Sequence, residues 1–207
     1  SASAGTVSGL NRVRAASTSL GGSLASLFKG IIGITVAMAA WRTLKGAVLV
    51  FVEFEQAIAD LSAITGAVGE DLQFLSDSAR ELAKVSRFTA REVAEAFKLV
   101  ASAQPSLLKS GAALREVTAA TLLLAGAVGA DLSDAAKILG TSMNQFGASS
   151  NQAGKFVDIL AASVRYGSAT MLELGESLKY VGALADKVGI SFVQTNALLQ
   201  ILAGGGL

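Results

Sequence analysis

Histidine and cysteine are both absent from the 207 residues, and proline occurs once, as Pro105. Without histidine the chain lacks the commonest general base and the commonest metal ligand. Without cysteine it has no disulfide framework, no thiolate nucleophile and no cysteine-based zinc site. Triads that need histidine and the H-E-x-x-H metalloprotease motif are excluded with them. Charge is scarce as well: 16% of residues are charged, against roughly 25% in an average soluble chain. Aromatic residues make up 6%. An enzyme is not expected. No catalytic, cofactor-binding or metal-ligating residue is assigned, and no cofactor is implied.

What fills the chain instead is apolar and small. Hydrophobic residues are 52%, mean hydropathy is +0.54, and there are 38 alanines and 22 glycines. Such a chain is too apolar for disorder and needs a large buried or shared surface. Small side chains also let helices approach closely. The near-neutral net charge of +1 hides an asymmetry. Residues 1–52 carry Arg12, Arg14, Lys29, Arg42 and Lys45 and no acid, whereas the acids all lie from Glu53 onward. The chain reads as a basic, apolar helical arm, residues 1–52, followed by a mildly acidic helical body, residues 53–207.

In the arm, Gly30–Trp41 and Gly46–Val52 are free of charge. A spanning helix needs about 20 mostly apolar residues. Arg42 and Lys45 would sit near the centre of such a span, each costing about 2.5–3.5 kcal/mol. A simple anchor is therefore not the best reading. A helix whose apolar face needs partner helices, a tube wall or a membrane surface fits better, with a buried core helix as the open alternative. The first residue is Ser1, not methionine, so a processed or excised piece is expected.

In the body the apolar spacing is helical. Phe54, Ile58, Leu61 and Thr65 form one stripe; Leu72, Leu75, Ala79 and Leu82 the next. Val93, Ala96, Phe97 and Val100 follow, then Leu132, Ala135, Leu139, Met143 and Phe146, then Leu174, Leu178, Val181, Ala185 and Val188. These are single stripes on amphipathic helices, with no strand alternation, so the predicted class is all-α, an array or bundle of short helices. Four capping boxes mark helix starts: Thr89–Glu92, Ser149–Gln152, Thr170–Glu173 and Ser191–Gln194. Ser110 and Asp131 are plainer cap candidates. Positions 89, 110 and 131 are 21 apart, as are 149, 170 and 191, which suits a helix of about 15 residues plus a short turn. Gly66-Ala-Val-Gly-Glu-Asp-Leu72 is echoed by Gly126-Ala-Val-Gly-Ala-Asp-Leu132. In each, the glycines are expected to end one helix and the aspartate to start the next.

Candidate chemistry is thin. Ser106-Leu-Leu-Lys109 matches S-x-x-K, but its partner motifs S-D-N and K-T-G are missing, so Lys109 is read as a solvated helix start. Glu53, Glu55, Asp60, Glu70 and Asp71 could suggest a metal, yet helical spacing scatters them around the axis, which favours a solvated face. No phosphate loop appears, since Gly126 is not followed by G-K-[ST]. Arg80, Lys84, Arg87, Arg91 and Lys98 are interspersed with Glu81, Glu92 and Glu95, which points to helix pairing rather than nucleic acid.

Taken together, residues 54–207 resemble the core region of phage tail tape measure proteins, the family typified by temperate lactococcal phages. The resemblance is carried by Phe54-Glu-Gln-Ala-Ile-Ala-Asp-Leu-Ser-Ala-Ile-Thr-Gly66, Ala79-Arg-Glu-Leu82, and Phe88-Thr-Ala-Arg-Glu-Val-Ala-Glu-Ala96. Asp131-Leu132, Phe146-Gly147, Leu172-Glu-Leu-Gly-Glu-Ser-Leu-Lys-Tyr-Val-Gly182, Val188-Gly-Ile-Ser191 and Leu202-Ala-Gly204 follow in order. Ala103-Gln-Pro-Ser106 departs from it, because the family more often has a glycine-bearing turn there. The resemblance implies a structural component of the tail-tube lumen that sets tail length during assembly and is released with DNA at infection. It implies as partners further copies of the chain, the tail tube protein, tail assembly chaperones and tail-tip or baseplate hub proteins. It implies a place in the virion, and in the host cytoplasm during assembly. It also implies a chain that continues past Leu207. The alternative is a membrane-active protein whose apolar arm, residues 27–52, opens a passage for phage DNA across the host inner membrane.

Overall fold

A computed structural model describes residues 49–206. Everything said above of residues 1–48, including the body of the apolar arm, lies outside the described residues. Of the unit formed by residues 1–52, only 49–52 are described, and they are helical. The unit formed by residues 53–207 is the subject below.

Several of its helices begin where hydroxyl side chains replace missing intrahelical acceptors. After α1 (residues 49–65) come α2 (Gly69–Lys84), α3 (Ala90–Ala103), α4 (Gly111–Val128) and α5 (Leu132–Gln145). Then follow α6 (Ala153–Tyr166), α7 (Met171–Lys187) and α8 (Phe192–Gly204). Among the described residues there is no strand. At α3, Thr89 Oγ1 accepts from the Glu92 N–H at 3.3 Å while Glu92 Oε2 accepts from the Thr89 N–H at 2.7 Å. Thr170–Glu173 and Ser191–Gln194 repeat this geometry at α7 and α8. Each such box satisfies two donors that the first turn otherwise leaves unpaired. At Ser149 the Gln152 amide oxygen reaches back at 3.0 Å, but a 3-10 turn, Ser150–Gln152, precedes the α-helix. Ser110 caps α4 by accepting from the Ala113 N–H. Asp131 holds the N-cap position of α5 without a side-chain cap bond.

Three connectors share one form. Gly129, Gly147 and Gly189 have φ of +67°, +60° and +80°, a left-handed conformation costly for a residue with a Cβ. Two residues after each comes a helix or turn start, at Asp131, Ser149 and Ser191. At the last two, the chain folds back so that Ala148 N–H donates to Met143 O and Ile190 N–H to Ala185 O, the Schellman closure. The Gly126 echo departs from expectation here. Gly66 and Gly69 are both left-handed and flank the first connector, Gly69 as the first residue of α2, whereas Gly126 lies inside α4 and only Gly129 ends that helix. Asp71 sits in the first turn of α2, whose N-cap is Val68.

From α2 onward each helix packs mainly against the next and the next but one. That pattern defines two layers, α3, α5 and α7 in one and α2, α4, α6 and α8 in the other. It is the arrangement of a stacked array, in which stability comes from neighbour-to-neighbour interfaces. The apolar stripes meet between the layers. Val93, Phe97, Val100, Leu124, Leu139, Leu160, Leu174 and Leu178 are buried there, each contributing about 1.5–3 kcal/mol by leaving water. The final stripe behaves differently from its predecessors: Leu174, Leu178 and Ala185 are buried, but Val181 and Val188 are exposed.

Candidate functional site

The residues singled out for chemistry do not gather at one place. Ser106 and Lys109 lie in an exposed 3-10 turn, Pro105–Lys109, whose buried member is Leu107. Among the described residues no group of three or more His, Cys, Asp or Glu side chains could hold a metal ion. The acidic and basic runs, which the sequence shows as separate features, instead pair with each other. Glu53 meets Arg91 at 3.4 Å, Glu55 meets Arg80 at 3.5 Å, and Asp60 meets Lys98 at 3.4 Å. Farther along, Arg115 of α4 meets Glu81 of α2 at 3.3 Å. These pairs tie α1 to α2 and α3, and α2 to α4, across a fixed stagger. Lys98 is the least exposed of the charges and also meets Glu95 at 2.9 Å. Its pKa is raised, chiefly by the hydrogen bond to Glu95. Asp60 is held below its usual range, first by the Gln56 amide and then by Lys98. The remaining pairs are half-exposed, where such bonds are worth about 0–1 kcal/mol; they set register more than stability.

Close approach marks the other contacts. A Cβ on Gly140 of α5 would stand 2.7 Å from the Ala103 Cβ of α3. A Cβ on Gly182 of α7 would run into the Gln145 side chain of α5, and one on Gly175 would meet Ile138 at 2.5 Å. At the far end, Phe156 of α6 stacks on Phe192 of α8 with centroids 4.1 Å apart, and Phe146 meets both rings edge-on. The small-residue content thus serves helix approach at named crossings.

Two of the outward grooves are mainly apolar. A groove of about 500 Å³ runs between Leu82, Val85 and Phe88 on one side and Leu122, Leu123 and Gly126 of α4 on the other. A second of about 240 Å³ lies between α7 and α8, lined by Val181, Leu184, Val188, Leu198 and Leu202 with no charged side chain. One described helix, α4, is long and apolar enough to cross a membrane. Eight of its residues are buried within the array, so a core helix accounts for it.

Comparison with known proteins gives the chain a family. Residues 76–207 match the family described as phage-related minor tail protein. The chain belongs to that family. It is also 28% identical over 192 residues to the tape measure protein of Pneumococcus phage Dp-1, an alignment covering 91% of this chain and 16% of that relative. The chain thus spans about a sixth of the length of the curated relative it matches. No solved structure matches it. As a minor tail family member it is a phage tail component, in line with the resemblance carried by Phe54–Gly66 and Leu172–Gly182. The sequence reading missed the ion pairs between helices. Their partners lie 25 to 38 residues apart, and only the layer stagger brings them together.

Proposed function

We propose that this protein is a tail tape measure protein, a component of the tail-tube lumen that sets tail length and leaves with the DNA at infection. The single observation that carries this reading is the 28% identity over 91% of the chain to a relative described as a tape measure protein. The membership in the minor tail family supports it. Its partners on this reading are further copies of itself, the tail tube protein, assembly chaperones and proteins of the tail tip.

The fold bears on which part measures. A continuous helix gains about 1.5 Å per residue. The body instead lays its helices side by side at the usual spacing of about 8–10 Å, so a hairpin of roughly 40 residues advances the array by only that much. Residues 53–207 therefore anchor, and sequence elsewhere in the polypeptide measures. In-frame deletions outside this body are expected to shorten tails by up to about 1.5 Å per residue removed, read by electron microscopy of assembled particles. Tails of unchanged length across a deletion series would overturn the proposal.

A further inference from the structure

Within the array several positions repeat at a shift of 42, although the N-caps of α5 and α7, Asp131 and Thr170, and those of α6 and α8, Gln152 and Ser191, differ by 39. Ala103 of α3 faces Gly140 of α5, and Gln145 of α5 faces Gly182 of α7; from 103 to 145 and from 140 to 182 the shift is 42 in both. The N-caps of α3 and α5, Thr89 and Asp131, and those of α4 and α6, Ser110 and Gln152, differ by the same 42. The face with which α5 receives α7 includes Ile138 and Ser142. The face with which α6 receives α8 includes Phe156. Moving these positions on by 42 reaches Tyr180 and Leu184 on α7 and Leu198 on α8. They are 75%, 63% and 50% exposed, and Ile201 beside them is 70% exposed.

We propose that the outer face of α7 and α8 is the docking surface for one further helical hairpin of the same polypeptide, seated in the register that α7–α8 itself uses on α5–α6. Three observations select this occupant. The exposed residues are the register equivalents of residues that receive a hairpin one step earlier. The groove between α7 and α8 is lined without charge, and α8 carries no charged residue at all, so the surface suits an apolar helical stripe and disfavours an anionic or cationic ligand. The chain spans 16% of its curated relative, which leaves in that relative a length of further polypeptide that could supply the hairpin. An array also needs a polar terminal repeat for solubility, and this face does not provide one. The inference stands on the array geometry and the length of the curated relative, and does not require the ruler role.

The test is amide hydrogen exchange on α7 and α8, comparing the 207-residue chain with the full-length gene product at several concentrations. Covering even one or two of these side chains is expected to slow exchange in α7 and α8 by about tenfold or more in the longer protein, independently of concentration. Leu184→Lys with Ile201→Lys in the longer protein is expected to return α7 and α8 to fast exchange while α3–α5 stay protected, which separates undocking from global unfolding. Equal exchange in the two proteins would overturn the proposal. So would protection that rises with concentration in the 207-residue chain, which would assign the face to a second copy.

Discussion

Two glycines inside helices should respond oppositely to the same substitution. A Cβ at Gly140 would stand 2.7 Å from Ala103 Cβ, while one at Gly126, in the exposed part of α4, would meet nothing within 4 Å. Carbon pairs prefer about 3.5–4.0 Å, so Gly140→Ala must drive α3 and α5 apart by about 1 Å. Overpacking of that kind costs about 1–3 kcal/mol, and alanine's better helix propensity returns about 1 kcal/mol. The net expectation is a loss of about 0–2 kcal/mol. Gly126→Ala keeps only the favourable part, about 0.5–1 kcal/mol of added stability. Urea unfolding followed by far-UV circular dichroism measures both. Ala103→Gly placed in the Gly140→Ala background should restore the space, giving a coupling of about 1 kcal/mol or more in a double-mutant cycle. If the two glycine variants stabilise alike, or the cycle shows no coupling, the α3–α5 crossing is not where the structure puts it.

Thr170→Ala removes one half of the box at α7 and should lower stability by about 1 kcal/mol, with increased exchange confined to the first turn of that helix. The carboxyls of Glu92 and Glu173 are held below their ordinary value of 4.5, chiefly by the backbone N–H of Thr89 and of Thr170 respectively. Because the folded pKa is the lower one, their contribution is complete above about pH 4.5 and is lost as pH falls through the folded value. The unfolding midpoint should therefore drop on acidification below pH 4.5, and Glu92→Gln with Glu173→Gln should blunt that dependence; an unchanged slope would contradict the boxes. Phe192→Ala removes a ring stacked on Phe156 and should cost about 3–5 kcal/mol. The loss should appear as fast exchange in α8 while α3–α5 hold.

How much of this was legible in the sequence depends on the range of the interaction. Thr89–Glu92, Thr170–Glu173 and Ser191–Gln194 were readable because a box is complete within four residues. The stripes through Phe97 and Leu139 were readable because burial on a helix follows its period. The stripe through Leu174 and Leu178 was read as one surface, but Val181 and Val188 are exposed. Exposure at such positions is set by which helices pack beyond α7, and no local pattern encodes that. Asp131 was recognised as a cap by position, yet its side chain makes no cap bond. Gly66 and Gly126 stand in seven-residue contexts that differ at one position, Glu70 against Ala130, and differ in conformation: α4 continues through Gly126, and its buried face includes Leu124 and Ala125 just before it. Glu53–Arg91 and Asp60–Lys98 were invisible because a separation of 38 residues acquires meaning only once the layers are known. The family was legible from the order of several weak strings, none of them sufficient alone.

The repeat register makes a stronger demand on the array than any single side chain. Ser110 and Gln152 occupy equivalent N-cap positions of α4 and α6. Deleting residues 111–152 therefore joins the Ser110 cap directly to Ala153, removes α4 and α5 together, and hands their places to α6 and α7. Ala103 would then face Gly182, a smaller pair than the Gln145–Gly182 contact it replaces, so the crossing is not overpacked. The shortened protein is expected to remain helical and to unfold cooperatively, at reduced stability because one hairpin interface is lost. A deletion of 111–142, out of step with the register, would put Met143 where the N-terminal turn of a helix belongs and should leave the chain poorly folded. In particles, the in-register deletion should shorten the tail by no more than about 10 Å. The same residues run as one continuous helix would remove about 63 Å. A large shortening would show that these residues are extended within the tube, and that the side-by-side layers are not the form in which the assembled tail holds them.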